Sequence, residues 1–302
     1  MTTAVRHRRF DRLLAALAAG LALTVTGCGS PAEVDGLLTD DWPALAEPAL
    51  FTPAAGVCHR HAPRFDTGAA DYKPVDCGTI HQTETFHVDA FDAGQVEPPK
   101  LGDPTLKAAY DTCDTKAREW LGGRWQDARL SLRVGVPTRR AWDAGARWFR
   151  CDIQEFVALH AREAADREKS LRGELAGESD LRLGCFDYEV GDEYIEKMLP
   201  TLCGIPHLSE YVGTHTATHR TYEAMEADVD GLHRACRRVL AGYAKVPEDA
   251  RLADRAGWFY YQPDPYEWGL GDRAVRCFVD RYGSQLTRSV RDGGDAALPV
   301  RY

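Results

Sequence analysis

Cys77-Gly78-Thr79-Ile80-His81-Gln82-Thr83-Glu84 recurs later in the chain as Cys203-Gly204-Ile205-Pro206-His207-Leu208-Ser209-Glu210. Both stretches read C-G-x-x-H-x-x-E, and both run on into apolar or aromatic residues, Phe86 in the first and Tyr211 and Val212 in the second. Self-similarity at long range is the signature of a repeated structural unit. The cysteines extend the match. Cys58, Cys77, Cys113 and Cys151 are spaced by 19, 36 and 38 residues, and Cys185, Cys203, Cys236 and Cys277 by 18, 33 and 41. A second motif, W-x-x-G-x-R-x-x-R-C, closes each half: Trp142, Gly145, Arg147, Arg150 and Cys151, then Trp268, Gly271, Arg273, Arg276 and Cys277. Two motifs and three spacings in agreement predict a tandem duplication of about 100 residues per unit.

Periodicity gives each unit the same elements. Leu106, Ala109, Tyr110, Cys113, Ala117, Trp120 and Leu121 share one helical face. Asp103-Pro104 suits the start of that helix and Gly122-Gly123 its end. Tyr222, Met225, Val229, Leu232, Cys236 and Val239 repeat the pattern, with a stop expected near Gly242. Strands are expected over Thr85–Phe91, Arg129–Val134 and Arg147–Phe156, and over Tyr211–Thr216, Trp258–Tyr261 and Ala274–Val279. The fold class is therefore α+β: two tandem repeats, each one helix packed on a small antiparallel sheet. The expected divisions are a signal peptide (1–27), a flexible tether (28–49), a first domain (50–158), a charged, solvated linker (159–180), a second domain (181–287) and a frayed C-terminal tail (288–302).

The N-terminus reads as an address. Arg6, Arg8, Arg9 and Arg12 precede thirteen uncharged residues, Leu13 to Val25. That run is too short to span a bilayer, which takes about 20 residues, and suits a signal-peptide core. Val25-Thr26-Gly27-Cys28 looks like the lipobox of bacterial lipoproteins, in which the cysteine becomes the first mature residue and carries lipid chains such as palmitate. An ordinary cleaved signal with an incidental cysteine is the alternative. The expectation is a chain anchored by lipid on Cys28 at the extracytoplasmic face of the cell membrane. Residues 1–27 hold four of the 37 basic and one of the 46 acidic residues, so 33 against 45 remain, a net charge of −12. That balance argues against nucleic acid and anionic headgroups as general partners.

An oxidising compartment favours disulfides. Four cysteines per unit allow three pairings. Neighbours in sequence, Cys58–Cys77, Cys113–Cys151, Cys185–Cys203 and Cys236–Cys277, suit the geometry, because the helix-face and last-strand cysteines both point into the helix–sheet interface. Zinc is the rival reading, with His59, His61 and His87 nearby, but the close cysteine pairs of structural zinc sites are missing. No metal and no cofactor is expected.

Taken together, the cysteines, the C-x-x-[P]-H-x-x-E stretch and W-x-x-G-x-R-x-x-R-C resemble the septum formation domain of bacterial membrane proteins and lipoproteins, with one copy over 56–157 and one over 183–280. Ile80 departs from the family's proline; Pro206 keeps it. The resemblance implies a link to cell division and no catalytic mechanism. His81 with Glu84, and His207 with Glu210, suit an acid–base or metal pair. They suit better a turn pinned by the histidine, with the glutamate paired to Arg147 or Arg150. No repeated serine or aspartate completes a catalytic set, and G-x-S-x-G, S-x-x-K and H-E-x-x-H are absent. Trp142 and Trp268 suit packing, and Gly145 and Gly271 a backbone shape that a Cβ would obstruct. The aromatic run Trp258–Trp268 makes Tyr260, Tyr261 and Tyr266 candidate binding residues. His215 and His219, near His207, add titratable groups. The expected function is a non-catalytic binding or scaffold module at the cell envelope, its partner an envelope protein or cell-wall component. The alternative is an envelope hydrolase or metal-binding protein using the His/Glu pairs.

Overall fold

Alternating residues form strands, and residues three and four apart form two long helices. The computed structural model describes residues 50–161, 163–191 and 195–300. The signal segment, the tether and Cys28 lie outside the described residues. The strands are β1 (Val57–His59), β2 (Asp66–Thr67), β3 (Thr83–Ala90), β4 (Leu130–Pro137), β5 (Trp148–Glu155), β6 (Cys185–Val190), β7 (Ile195–Thr201), β8 (Ser209–Thr216), β9 (Gly257–Tyr261) and β10 (Ala274–Asp280). The helices are α1 (Pro104–Leu121), α2 (Arg139–Asp143), α3 (Tyr222–Ala227), α4 (Val229–Ala244), α5 (Leu252–Arg255), α6 (Pro265–Leu270) and α7 (Gly294–Ala297). Two five-stranded sheets result, ordered β1-β3-β5-β4-β2 and β7-β6-β8-β10-β9. Pairing is antiparallel except at one edge, where the two-residue β2 lies parallel to β4.

Each long helix lays its apolar face on one sheet. In α1, Leu106, Ala109, Tyr110, Cys113, Ala117 and Leu121 are buried. Asp103 precedes Pro104 as expected, but its carboxylate accepts from the Lys100 N–H (2.7 Å) and so braces the preceding turn. Gly122 ends α1 at φ +76°, the left-handed conformation that glycine adopts without strain. The second helix departs from expectation. The run from Tyr222 is broken at Asp228, whose side chain accepts from the Gly231 N–H (3.0 Å) and caps α4. Gly242 lies inside α4, which continues to Ala244 and ends at a left-handed Lys245.

All four disulfides join sequence neighbours: Cys58–Cys77, Cys113–Cys151, Cys185–Cys203 and Cys236–Cys277. Cys113 in α1 is tied to Cys151 in β5, and Cys236 in α4 to Cys277 in β10. Each helix is thus stapled to a central strand of its sheet. Phe86 in β3 and Val212 in β8 each sit where the register with the neighbouring strand shifts, and both are buried. A β-bulge turns each side chain toward the helix layer.

The described residues, from Leu50 onward, belong to one compact unit. Leu270, after the second aromatic run, is buried in the core formed around α1, and Tyr266 packs against it. Arg276 of β10 donates to the carbonyls of Gln126 (3.0 Å) and Leu130 (3.4 Å), across the boundary between the halves.

The expectation of a solvated linker over 159–180 is overturned. This stretch returns along the first sheet, with Leu171 and Leu175 buried in its core. Two leucines at about 1.5–3 kcal/mol each offset the ordering of a charged segment. The frayed tail is overturned as well, because Val290 and Leu298 are buried in the second core. Unreduced protein is expected to have a mass eight hydrogens below the reduced chain, given four disulfides. Replacing Cys236 and Cys277 together by alanine is expected to cost about 2–4 kcal/mol in denaturant unfolding.

Candidate functional site

The C-G-x-x-H-x-x-E stretches form two sites with the same construction. In each, the histidine begins a bridge to a segment that returns from beyond the last cysteine of that half. His81 exchanges backbone hydrogen bonds with Arg167 (both 2.8 Å), and His207 with Leu286 (2.9 and 2.7 Å). Nδ1 of His81 lies 2.8 Å from the Thr79 carbonyl, and Nδ1 of His207 2.7 Å from that of Ile205. Each ring thereby pins its own turn. Both histidines are 0% exposed. Among the described residues, neither Nε2 has a hydrogen-bond partner; that of His81 lies 3.5 Å from Glu84 Oε1.

The glutamates face the same returning segment. Glu84 accepts from the Leu171 N–H (2.5 Å) and the Ser170 hydroxyl (2.8 Å). Glu210 accepts from the Val290 N–H (2.7 Å), the Ser289 hydroxyl (2.5 Å) and the Tyr243 hydroxyl (2.6 Å). Each carboxylate is 1% exposed. Burial of a carboxylate is costly unless such donors satisfy it. The expected pairing of the glutamate with Arg147 or Arg150 does not occur. Arg147 lies over the Trp142 ring and donates to the carbonyls of Trp142 and Ala146. Arg273 does the same with Trp268, its guanidinium 3.7 Å from the ring centroid, and with the carbonyls of Trp268 and Asp272. The two tryptophans are buried packing residues, and Gly145 and Gly271 have φ of +104° and +130°. A Cβ on Gly271 would lie 2.9 Å from Tyr110, so glycine is needed there for both conformation and space.

The returning segments share a pattern that sequence reading missed: Lys169-Ser170-Leu171-Arg172 and Arg288-Ser289-Val290-Arg291. The arginine closes each arrangement. Arg172 lies over the ring of Trp120, and Arg291 over that of Tyr243, near the C-terminal ends of α1 and α4. The next residue donates its N–H to that aromatic residue's carbonyl, from Gly173 to Trp120 and from Asp292 to Tyr243 (both 2.9 Å). The signal is a basic-Ser-apolar-Arg quartet, but its distance from the preceding cysteine differs between halves, so alignment on the cysteines hides it.

Another missed cluster lies on the opposite face of the first sheet. Arg150 donates to Asp152 (2.8 Å), Asp152 accepts from the Thr85 hydroxyl (2.7 Å), and His59 Nε2 lies 3.0 Å from that hydroxyl. All four residues are buried. Gly135 leaves room for the Arg150 guanidinium, which a Cβ would overlap. Burial holds the His59 imidazole below its ordinary pKa. The positions equivalent to His59, Thr85 and Asp152 are Phe186, Tyr211 and Phe278, an aromatic cluster. Tyr261 packs edge-on against Phe278, Tyr260 faces His233 on the helix side, and Tyr266 carries Arg133 over its ring. The three candidate tyrosines therefore do not converge on one site. His219 meets Asp228 (3.0 Å), while burial, with a smaller effect from Arg238, holds His215 below its usual pKa.

Cys58, Cys77 and Glu84 lie close enough together to suggest a metal site, as do Cys185, Cys203 and Glu210. The sulfurs are joined in disulfides, so the donor set lacks the thiolates that bind zinc.

The paired sites yield two predictions. Glu210→Gln keeps the size but loses a charged acceptor, and is expected to cost about 2–4 kcal/mol of stability. Hydrogen exchange is expected to rise over residues 286–292. Asp272 supplies a pH test. Its carboxyl is buried, and burial pushes it up to about 6 against the opposing pull of Arg276. A raised folded-state pKa means that the folded chain binds its proton more tightly. This group's contribution to stability is greatest below about 4 and declines as pH rises to about 6. Asp272→Asn is expected to flatten that decline in melting temperature.

No curated protein and no solved structure matches the chain. A family model described as "Septum formation" matches residues 55–277 in one span that takes in both histidine–glutamate pairs and both W-x-x-G-x-R-x-x-R-C motifs. The chain belongs to the septum formation family.

Proposed function

We propose that the chain is a lipid-anchored, extracytoplasmic and non-catalytic binding module that serves septum formation at the cell envelope. Its family supports the connection with cell division. One observation carries the non-catalytic reading. Both histidine–glutamate pairs are sealed from solvent, and their acceptors are occupied by the segment that closes each half. A general acid or base must reach a substrate or a water, and these groups reach only their own chain. The conservation of this construction in both halves, with matching sheet orders β1-β3-β5-β4 and β6-β8-β10-β9, favours a duplicated structural unit over a duplicated active site.

The anchor rests on the sequence of the N-terminus, with its basic start, short apolar run and Val25-Thr26-Gly27-Cys28. Lipid on Cys28 would hold the folded unit at the outer face of the membrane through residues 28–49 acting as a tether. Four disulfides fit an oxidising compartment. The partner is an envelope protein or cell-wall component.

In cells fed a radiolabelled fatty acid, the chain is expected to take up label and to sediment with membranes. Cys28→Ala is expected to lose the label. Unlabelled wild-type chain would rule out the anchor. A measurable hydrolytic activity removed by His207→Ala without a fall in melting temperature would rule out the non-catalytic reading.

A further inference from the structure

The aromatic residue and arginine that close each half also line a cavity, and the two cavities differ in an informative way. In the first half the cavity measures about 220 Å³ and is lined by Phe86, His87, Lys116, Glu119, Trp120 and Arg172. In the second half the corresponding cavity measures about 440 Å³. Counting from the matched cysteines, Gly213 stands where His87 stood and Gly242 where Glu119 stood. Neither the acid nor the imidazole has a counterpart in the second cavity, and at Gly213 the Val239 side chain lies where a Cβ would point. A Cβ at Gly242 would meet nothing within 4 Å.

Positive charge has gathered in the enlarged cavity. Arg291 and Lys245 come from the second half, Arg124 from the turn after α1, and Arg182 from the stretch joining the halves. Against these four cations stand two carboxylates, Asp127 and Asp292, giving a lining net of +2. The chain as a whole carries −9, so this is a local reversal of sign. The carboxylates answer only two of the cations, Arg124–Asp127 at 3.7 Å and Lys245–Asp292 at 3.8 Å. Asp127 is also committed to the Tyr211 hydroxyl (2.6 Å). Among the described residues, Arg182 and Arg291 have no ion pair. Arg182 donates to the carbonyls of Leu175 and Gly177, and Arg291 to the Tyr243 hydroxyl. These contacts fix two guanidinium groups in place without a direct carboxylate partner, although Arg291 also feels the more distant charges of Glu210 and Asp292. A larger hollow of about 590 Å³ shares Arg182, but its other cation, Arg129, is spent on Glu155 and three carbonyls.

We propose that the cavity between Arg124, Arg182, Lys245 and Arg291 binds a phosphate monoester or inorganic phosphate. Guanidinium groups match phosphate oxygens in geometry, and a monoester's charge of about −1.5 to −2 at neutral pH matches the lining. The net negative charge of the protein repels a polyanion such as nucleic acid at long range. A single phosphate group entering this cavity meets the local field instead. The inference deepens the reading of the chain as a binding module by naming the chemistry of its ligand.

The test puts the first half's acid back. Gly242→Glu places a carboxylate in the cavity from an open helical position, and Gly242→Ala is the matched neutral change. The full chain is titrated calorimetrically with inorganic phosphate, with dihexanoylphosphatidic acid, and with dihexanoylphosphatidylcholine as control. Saturable binding of phosphate or of the phosphatidic acid is expected, weakened roughly tenfold or more in Gly242→Glu and retained in Gly242→Ala. Binding by phosphate identifies a free phosphate group as sufficient. Binding by the phosphatidic acid alone identifies a lipid headgroup as the source. Failure of both, equal binding of the phosphatidylcholine, or affinity unchanged in Gly242→Glu overturns the site. Neither substitution touches Cys28 or the buried glutamates. A chain that is lipid-labelled but ignores phosphate therefore loses this site alone, and one that binds phosphate without lipid label loses the anchor alone.

Discussion

A carboxylate buried at the start of a strand must find its donors within the fold. That constraint, met at Glu84 and again at Glu210, organises each half. The donors are a backbone N–H and a serine hydroxyl on a segment far along the chain, so the segment has to return. Once returned, it seats an apolar side chain in the core, Leu171 or Val290, and an arginine over the aromatic residue near the end of the helix. Disulfides fix helix to sheet, and the glutamate fixes the closing segment to both. An ionised acceptor of this kind is worth roughly twice a neutral one, whereas loss of a donor leaves a charge stranded in a low dielectric.

Much of this was legible in the residues. Helical spacing located α1, alternation located most strands, and the matched cysteines gave all four disulfides. The histidine's pinning of its turn followed from its place at a turn before a strand. The glutamate's partner did not follow, because an acidic residue suggests an arginine and the true donors are a backbone amide and a serine. Residues 159–180 were misread for a related reason. A charged, helix-favouring composition hid two leucines, Leu171 and Leu175, whose burial outweighs local preference. The break at Asp228 was missed because apolar spacing continues through it, while only the side-chain hydrogen bond to Gly231 marks a new helix start.

The halves use their outer sheet faces differently. The first buries a polar chain from His59 to Arg150, held under the N-terminal stretch through Arg64 and Tyr72. At equivalent positions the second has rings, and it turns Arg276 to the carbonyls of its neighbour. Motif positions that look alike in sequence, Arg150 and Arg276, thus serve one half internally and join the other to its partner. The two halves differ at these outer faces, while the closing segments are built alike.

The order in which the closing segments emerge has a consequence for biogenesis. Glu84 finds its donors at residues 170 and 171, before the second half has begun, so the first closing segment can seat while the rest of the chain is still being made, with Leu270 joining that core later. Glu210 waits for residues 289 and 290. The second half therefore stays open until those two residues are available, with the Glu210 side chain facing an unfilled core. A chain that stops before residue 289 would leave Glu210 without these two donors and the second core without Val290, an opening through which quality-control proteases can enter.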